Sequence, residues 1–228
     1  MSLRDSRRSF LALATASVAL TACRSEDEDE DVGAVEDLMR EHGVIRRVLV
    51  VYRESAMRLR VDPVTVPPEA LQRAAQLMQN FGEDYHEKAL EEAHLFPAVK
   101  RAGGAAAALI DALLAQHQRG REITGYVLST TRQAIGVADA EPLARALEAF
   151  ARMYEEHAAQ EDTVVFQAWK KSMSKKQLDE MGDMFEDIEH KTFGKDGFDD
   201  AIEKIAAIEA SLGLTLAGML APAPPAVR

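Results

Sequence analysis

Long stretches of this chain repeat an apolar residue every three or four positions, and in four of them a histidine takes one of the apolar places. These histidines are His42, His86, His117 and His157. An α-helix turns once in ~3.6 residues, so positions three or four apart lie on one face. Each imidazole is therefore predicted to point into the protein interior rather than into water.

Three of these helical faces can be written out residue by residue. The first comprises Val35, Leu38, His42, Ile45, Leu49, Tyr52, Ala56 and Leu59. The third comprises Ile110, Leu113, His117, Gly120, Thr124 and Val127, and the fourth comprises Leu143, Leu147, Phe150, Tyr154, His157, Glu161, Val164 and Ala168. A buried polar group without a partner costs ~1–3 kcal/mol, so a single core histidine is usually hydrogen-bonded. Four at similar depth, with acidic residues near them, indicate a bound metal.

The pattern predicts an all-α protein. Four long helices are expected over residues 34–59, 68–97, 105–134 and 142–171, separated by proline- or glycine-containing breaks. Short connections make neighbouring helices antiparallel, so residues 34–171 are predicted to form an up-down-up-down four-helix bundle. Two additional C-terminal helices, residues 174–194 and 198–212, lie in an extension over 172–212, and residues 213–228 form a Pro/Ala-rich tail.

The N-terminal segment has the features of an export signal. Arg7 and Arg8 precede Phe10 and an uncharged stretch that ends in Leu-Thr-Ala-Cys at Cys23. This order resembles a twin-arginine-type lipoprotein signal over residues 1–22, with Cys23 lipidated and residues 23–33 as an acidic tether. The expected location is the periplasmic face of a bacterial membrane, held by the lipid anchor only. An ordinary cleavable signal and a short N-terminal anchor are the alternatives.

Charge and cysteine content exclude several classes of protein. The formal net charge is −11, which opposes binding to nucleic acid and to anionic lipid surfaces. With Cys23 as its single cysteine, the chain has neither an internal disulfide nor a thiolate metal cluster. The histidines must therefore combine with carboxylates. His157 and Glu161, four apart, share a helix face, and this donor set suits iron, manganese or zinc.

Local sequence around the histidines resembles the hemerythrin-like family, which carries an HHE cation-binding signature. The matching segments are Glu41-His42, Tyr85-His86-Glu87-Lys88 with Glu91-Glu92 and Leu95-Phe96-Pro97, and Glu156-His157 with Glu161-Asp162. The resemblance covers residues 34–171. It implies two non-haem iron ions between four helices, with His42, His86, His117 and His157 as terminal ligands and Glu161 as one bridging carboxylate. An exogenous ligand such as O2 or NO would take an open position.

The second helix departs from the family pattern. The position four residues after His86, where the family places a glutamate, is Leu90, and the nearest downstream acid is Glu91. On a regular helix, five residues turn the side chain to about 140° away. A one-residue π-bulge would restore the alignment, and such bulges favour functional sites. Glu91 is therefore the preferred metal ligand, and Glu87, about 100° round the helix, is the second choice.

The third helix has Arg121 where oxygen-carrying relatives have a further histidine. This substitution favours a site that senses or reacts with small oxidants or NO over a reversible oxygen store, unless Arg121 simply points to solvent. Tyr85 and Tyr154 are expected near the metals as hydrogen-bond donors or redox-active groups, or in ordinary core packing. His94 and His190 are not expected to bind metal.

Three functions are compatible with this sequence. The favoured one is a metal-binding protein that takes O2 or NO, or iron itself, for sensing, buffering or stress defence. The alternative is a di-iron enzyme acting on peroxide or NO. A metal-free structural helical module is the least supported. The sequence identifies no protein partner.

Overall fold

The computed structural model describes residues 32–225, and within that range the protein is helical without strands. The predicted signal peptide, Cys23 and most of the acidic tether lie outside the described residues. Six helices are present there: α1 is Ala34–Val61, α2 spans 68–102, α3 is Ile110–Thr130, α4 spans 137–171, α5 is Lys175–Phe193 and α6 is Gly197–Ser211. A 3₁₀ turn, Pro63–Thr65, joins α1 to α2, and a one-turn helix, Gly104–Ala107, precedes α3.

Two of the long helices change their winding midway. α2 begins as an α-helix over Pro68–Leu77, becomes a π-helix over Met78–Leu95 and ends as an α-helix over Phe96–Ala102. α4 is α-helical over Val137–Gln160, π-helical over Glu161–Val165 and α-helical again over Phe166–Lys171. The π-turn predicted between His86 and Glu91 is therefore confirmed, but it belongs to a much longer π-helical stretch than a one-residue bulge.

Several helix boundaries differ from the predicted ones. α4 begins at Val137 rather than at Pro142, which lies in the second turn of the helix and removes one backbone hydrogen bond there. α3 ends at Thr130, four residues earlier than predicted. A capping box of Ser174 and Gln177 begins α5, and Gly194 ends that helix with a positive φ of 69°.

The two π-helical segments decide which residues face the core. The predicted buried faces of α1 and α3 are confirmed at every position. In α4 the prediction holds through Glu161, but Val164 and Ala168 are only half-buried, whereas Val165 and Trp169 are fully buried. The reason is the π-turn, which inserts one residue and moves the buried face along by one position.

The four long helices pack around a common core. α1 contacts α2 and α4, and α3 also contacts α2 and α4. The C-terminal helices cover one side: α5 and α6 both contact α1 and α2, with Phe185, Ile205 and Ile208 buried beneath them. A two-pronged ion pair joins Arg47 of α1 to Glu209 of α6, with N–O distances of 2.9 and 2.6 Å. Helices long and apolar enough for a membrane span do not occur between residues 32 and 225.

Candidate metal centre

One ring nitrogen of each core histidine faces the space between the four long helices. The Nε2 atoms of His117 and His157 are 3.0 Å apart. Two glutamates stand between the histidines of different helices. Glu91 places Oε1 3.4 Å from Nε2 of His86 and Oε2 3.5 Å from Nε2 of His117. Glu161 places Oε2 3.0 Å from Nε2 of His157 and 3.4 Å from Nε2 of His42.

The π-helical turns place these carboxylates. The N–H of Phe96 donates to the carbonyl of Glu91, and the N–H of Phe166 donates to that of Glu161, each across five residues. The same phenylalanines then stack on histidines of other helices. Phe166 lies 5.3 Å from the ring of His42, and Phe96 lies 5.4 Å from the ring of His117. Each π-turn thus fixes a carboxylate inside the core and an aromatic wall beside it.

The other ring nitrogen of each histidine contacts an oxygen acceptor. Nδ1 of His42 lies 2.7 Å from Asp162, and Nδ1 of His86 lies 2.5 Å from Glu41. For His117 and His157 the partners are Glu92 at 2.8 Å and Gln116 at 2.9 Å. An acceptor at Nδ1 holds the proton there, so the lone pair of each neutral ring is at Nε2 and faces the centre.

Sequence reasoning did not assign these four acceptors a role, although each is adjacent in sequence to a predicted ligand. Together they form a closed ring around the four histidines. Glu41 on α1 holds the histidine of α2, Glu92 on α2 that of α3, Gln116 on α3 that of α4, and Asp162 on α4 that of α1. The sequence signal that could have found these acceptors is that each lies next to a predicted ligand. Neighbouring positions on a helix point about 100° apart, so the residue beside a ligand can face the histidine of an adjacent helix.

Five of the donor atoms at the centre are buried and lack hydrogen-bond partners among the described residues. All four carboxylate oxygens of Glu91 and Glu161, and Nε2 of His86, have none within residues 32–225. Lone pairs and carboxylates that converge in a dry interior repel one another. These atoms have also lost their hydrogen bonds to water without gaining others, which is unfavourable. A cation removes both penalties, so this donor set fits a metal.

The donors divide into two overlapping groups. The first holds Glu91, His117, His157 and Glu161, and the second holds His42, His86 and Glu91. Within each group the donor atoms lie within 4.8 Å of one another, and Glu91 belongs to both. Each group could hold a metal ion, and the two groups have one carboxylate in common.

Charge at the centre favours cations. Burial lowers the pKa of His86, but Glu91 and Glu41 outweigh it and hold the pKa well above its usual value. Burial raises the pKa of Glu161, but His157 and His42 outweigh that effect and leave its pKa below the usual range. Protons and metal ions compete for these same atoms.

Glu87, Tyr154 and Arg121 form a second polar group next to the centre. The Tyr154 hydroxyl donates to Oε1 of Glu87 at 2.6 Å, and Nη2 of Arg121 lies 3.0 Å from Oε2 of Glu87. Arg121 also pairs with Glu92, so the alternative that it points to solvent is wrong. A Cβ at Gly120 would stand 2.0 Å from the Tyr154 hydroxyl, so glycine is what admits this side chain.

The remaining candidates, Tyr85, His94 and His190, are not members of the two donor groups. Tyr85 is fully buried and packs on Phe81 and Phe193. His94 is half-buried with its ring 6.2 Å from Phe185, and His190 is exposed in the last turn of α5. Neither histidine contributes to the two donor groups.

Comparisons with known proteins agree with this centre. The chain is 40% identical over 218 residues to an uncharacterized protein of Mycobacterium bovis and to uncharacterized proteins of two strains of Mycobacterium tuberculosis. Each alignment covers 89% of this chain and 84% of the relative. No solved structure matches the chain. A family model described as the hemerythrin HHE cation binding domain matches residues 33–169, so the chain belongs to the hemerythrin HHE cation-binding family.

Proposed function

We propose that this protein holds two iron ions in a non-haem di-iron centre inside an up-down-up-down four-helix bundle. In this proposal the ligands are His42, His86, Glu91, His117, His157 and Glu161. The bound iron takes a small diatomic ligand, O2 or NO, or the centre handles iron itself, for sensing, buffering or stress defence. The single observation that carries the proposal is the convergence of four Nε2 lone pairs on two buried carboxylates without other partners.

The helix contacts support the bundle, since α1 and α3 each pack between α2 and α4.

The number of donor atoms supports a site with open coordination positions. Each donor group would give its metal two imidazoles and the shared carboxylate of Glu91, with Glu161 as a further ligand in the first group. This composition is close to the two-histidine, one-carboxylate set that leaves positions open in non-haem iron proteins. Iron supplies redox chemistry and affinity for diatomic ligands when bound. The protein's own groups orient the donors and, through Phe96 and Phe166, exclude water from two of the imidazoles.

Metal analysis together with optical spectroscopy tests the proposal. The protein produced in iron-supplemented cells should contain two irons per chain, and its absorption spectrum should change on exposure to O2 or NO. Zinc or manganese in place of iron would overturn the assignment of the metal. A protein that folds normally while empty, and stays empty when iron is offered, would overturn the centre itself.

The second candidate function is an enzyme that turns over peroxide or NO. The hydrogen bond from Tyr154 to Glu87 and the ion pair between Glu87 and Arg121 favour it, because they place a hydroxyl and a fixed positive charge beside the metals. Sustained consumption of peroxide or NO by iron-loaded protein would support an enzyme. A stable adduct formed once per centre would support the binding protein. The buried unpartnered donors speak against a metal-free structural module.

We also propose that the protein is exported as a lipoprotein and stays at the periplasmic face through lipid on Cys23. The twin arginines, the uncharged stretch and the position of the cysteine support this. Labelled fatty acid should be incorporated into the wild-type chain and not into Cys23→Ser, which should leave the membrane fraction. Equal membrane association of both proteins would contradict the anchor.

A further inference from the structure

The carboxylates of Glu87 and Glu92 converge next to the centre and enclose the end of the Arg121 side chain. We propose that the Arg121 guanidinium fills a third cation position there and thereby limits the protein to two metal ions. The inference rests on the proposed two-metal centre but concerns different side chains. It makes Arg121 a residue that sets metal stoichiometry.

Two carboxylates beside Arg121 have the spacing of a cation site. One oxygen of Glu87, one oxygen of Glu92 and Nδ1 of His117 lie within 4.8 Å of one another, and the two carboxylates are the ligands that a cation would use, because Nδ1 carries the proton donated to Glu92. Nη2 of Arg121 contacts both carboxylates: it is 3.0 Å from Oε2 of Glu87 and also pairs with Glu92. Glu87 is only 1% exposed, so its carboxylate has little access to water.

Negative charge is in excess around Arg121. Glu83 and Glu91 are both buried and both close enough to Glu87 for their charges to oppose its ionisation. One oxygen of Glu83 lacks a hydrogen-bond partner within the described residues. A guanidinium keeps its charge at any physiological pH and contains no lone pair for a metal. It therefore supplies one permanent positive charge beside these carboxylates and excludes a metal ion from the position that it fills.

The exclusion protects the centre itself. Glu92 accepts the Nδ1 proton of His117 at 2.8 Å and thereby keeps Nε2 of that histidine directed at the metals. A third metal on Glu92 would compete for the oxygen that orients His117. By holding Glu92 and Glu87 together, Arg121 keeps the first on His117 and the second on Tyr154.

Metal counting in Arg121 variants tests the inference. Purified proteins are stripped with chelator, saturated with Zn²⁺ alone, freed of unbound ion and analysed for zinc per chain. Arg121→Gln should bind one more Zn²⁺ than the wild type, three against two. Arg121→Lys, which restores a positive charge, should return to the wild-type number. Arg119→Gln is the matched control: Arg119 lies on the same helix, is 65% exposed and pairs only with Glu122 within the described residues, so its count should not change.

The double variant Arg121→Gln/Glu87→Gln separates the site from a general loosening of the core. With one carboxylate removed, the extra ion should be lost and the wild-type count restored. An unchanged count in Arg121→Gln would overturn the inference, as would an extra ion that persists in the double variant. If Arg121→Gln folds only with metal present, the count is made on protein refolded in Zn²⁺. A wild type that binds fewer than two Zn²⁺ would contradict the proposed two-metal centre. The inference about Arg121 is tested separately, by the difference of one ion between Arg121→Gln and the wild type.

Discussion

At the scale of single residues, the centre depends on how each imidazole is held as much as on which residues bind metal. Every core histidine receives its orientation from a side chain on the preceding helix of the ring, so four helices must be in place before all four Nε2 atoms converge. Such outer partners of metal-binding histidines typically contribute 10–100-fold to metal affinity. Ligands and their partners can therefore be distinguished by the size of the effect.

Removal of a ligand should remove metal. His157→Ala and Glu161→Ala are each expected to lower iron per chain by at least half, since both side chains belong to the donor groups. His94→Ala is the control, because His94 lies against Phe185 and outside both groups. Iron is measured by elemental analysis of folded, purified protein. A loss in His94→Ala as large as in the other two would contradict the ligand assignment.

Removal of a hydrogen-bond partner should weaken metal binding without abolishing it. Glu41→Leu keeps about the size of the side chain but removes the oxygen acceptor beside Nδ1 of His86, so iron affinity should fall about 10–100-fold. Glu156→Leu is the matched control, because Glu156 also precedes a histidine yet is exposed and bonds to Gln160. Competition with a coloured chelator measures both affinities. Equal affinities of the two variants would show that Glu41 does not orient His86.

At the scale of helices, the π-helical turns determine which carboxylates reach the candidate metal centre. The turn in α2 could be predicted, because Leu90 stands where a ligand was expected and the acid is displaced by one position. The turn in α4 could not be predicted, since His157 and Glu161 keep the normal spacing of four. Beyond Glu161 both Val164 and Val165 are apolar, so hydrophobicity alone does not reveal which of them is buried.

The order of Leu90 and Glu91 tests the π-register directly. Exchanging them, as Leu90→Glu/Glu91→Leu, gives α2 the four-residue spacing of a regular helix but should abolish binding of the metals that share Glu91. The reason is that the π-helical backbone directs position 91, not position 90, at His86 and His117. The single variant Leu90→Glu controls for the cost of burying a second carboxylate. Full metal content in the exchanged variant would show that α2 can rewind and that its π-turn is not required.

Features of the fold that depend on neighbours in the sequence could be predicted, whereas features that depend on contacts between helices could not. Helical periodicity is local, so the buried faces of α1 and α3 were predicted correctly at every position. The four hydrogen-bond partners of the histidines were not assigned, because each acts on a different helix and the pairing exists only after packing. Arg121 is a similar case: its sequence position allowed solvent exposure, and only the approach of α2 places two glutamates around it.

At the scale of the whole molecule, the C-terminal helices cover the side of the protein that is formed by α1 and α2. These two helices are held in place by their buried apolar side chains and by the ion pair of Arg47 with Glu209. At one place, repulsion between like charges opposes the packing of α5 on α1. Asp37 on α1 is close to Glu186 and Glu189 of α5 as well as to Glu41 of its own helix, and Arg40 only partly compensates. The packing of α5 should therefore depend on pH.

Asp37 provides the test of that dependence. Burial, together with Glu41, Glu189 and Glu186, raises the pKa of Asp37 to about 7. An acid whose folded-state pKa is raised stabilises the fold below its unfolded pKa of ~3.9, and this stability is lost as the pH rises through about 7. Asp37→Asn stays neutral, so the melting temperature of the chelator-treated variant should exceed that of wild type at pH 8 and match it more closely at pH 5. Asp187→Asn, an exposed position on α5, is the control and should show the same difference from wild type at both pH values. If the Asp37 difference does not grow between pH 5 and pH 8, the carboxylate is ionised throughout and repulsion across the α1–α5 contact does not govern the stability of the cover.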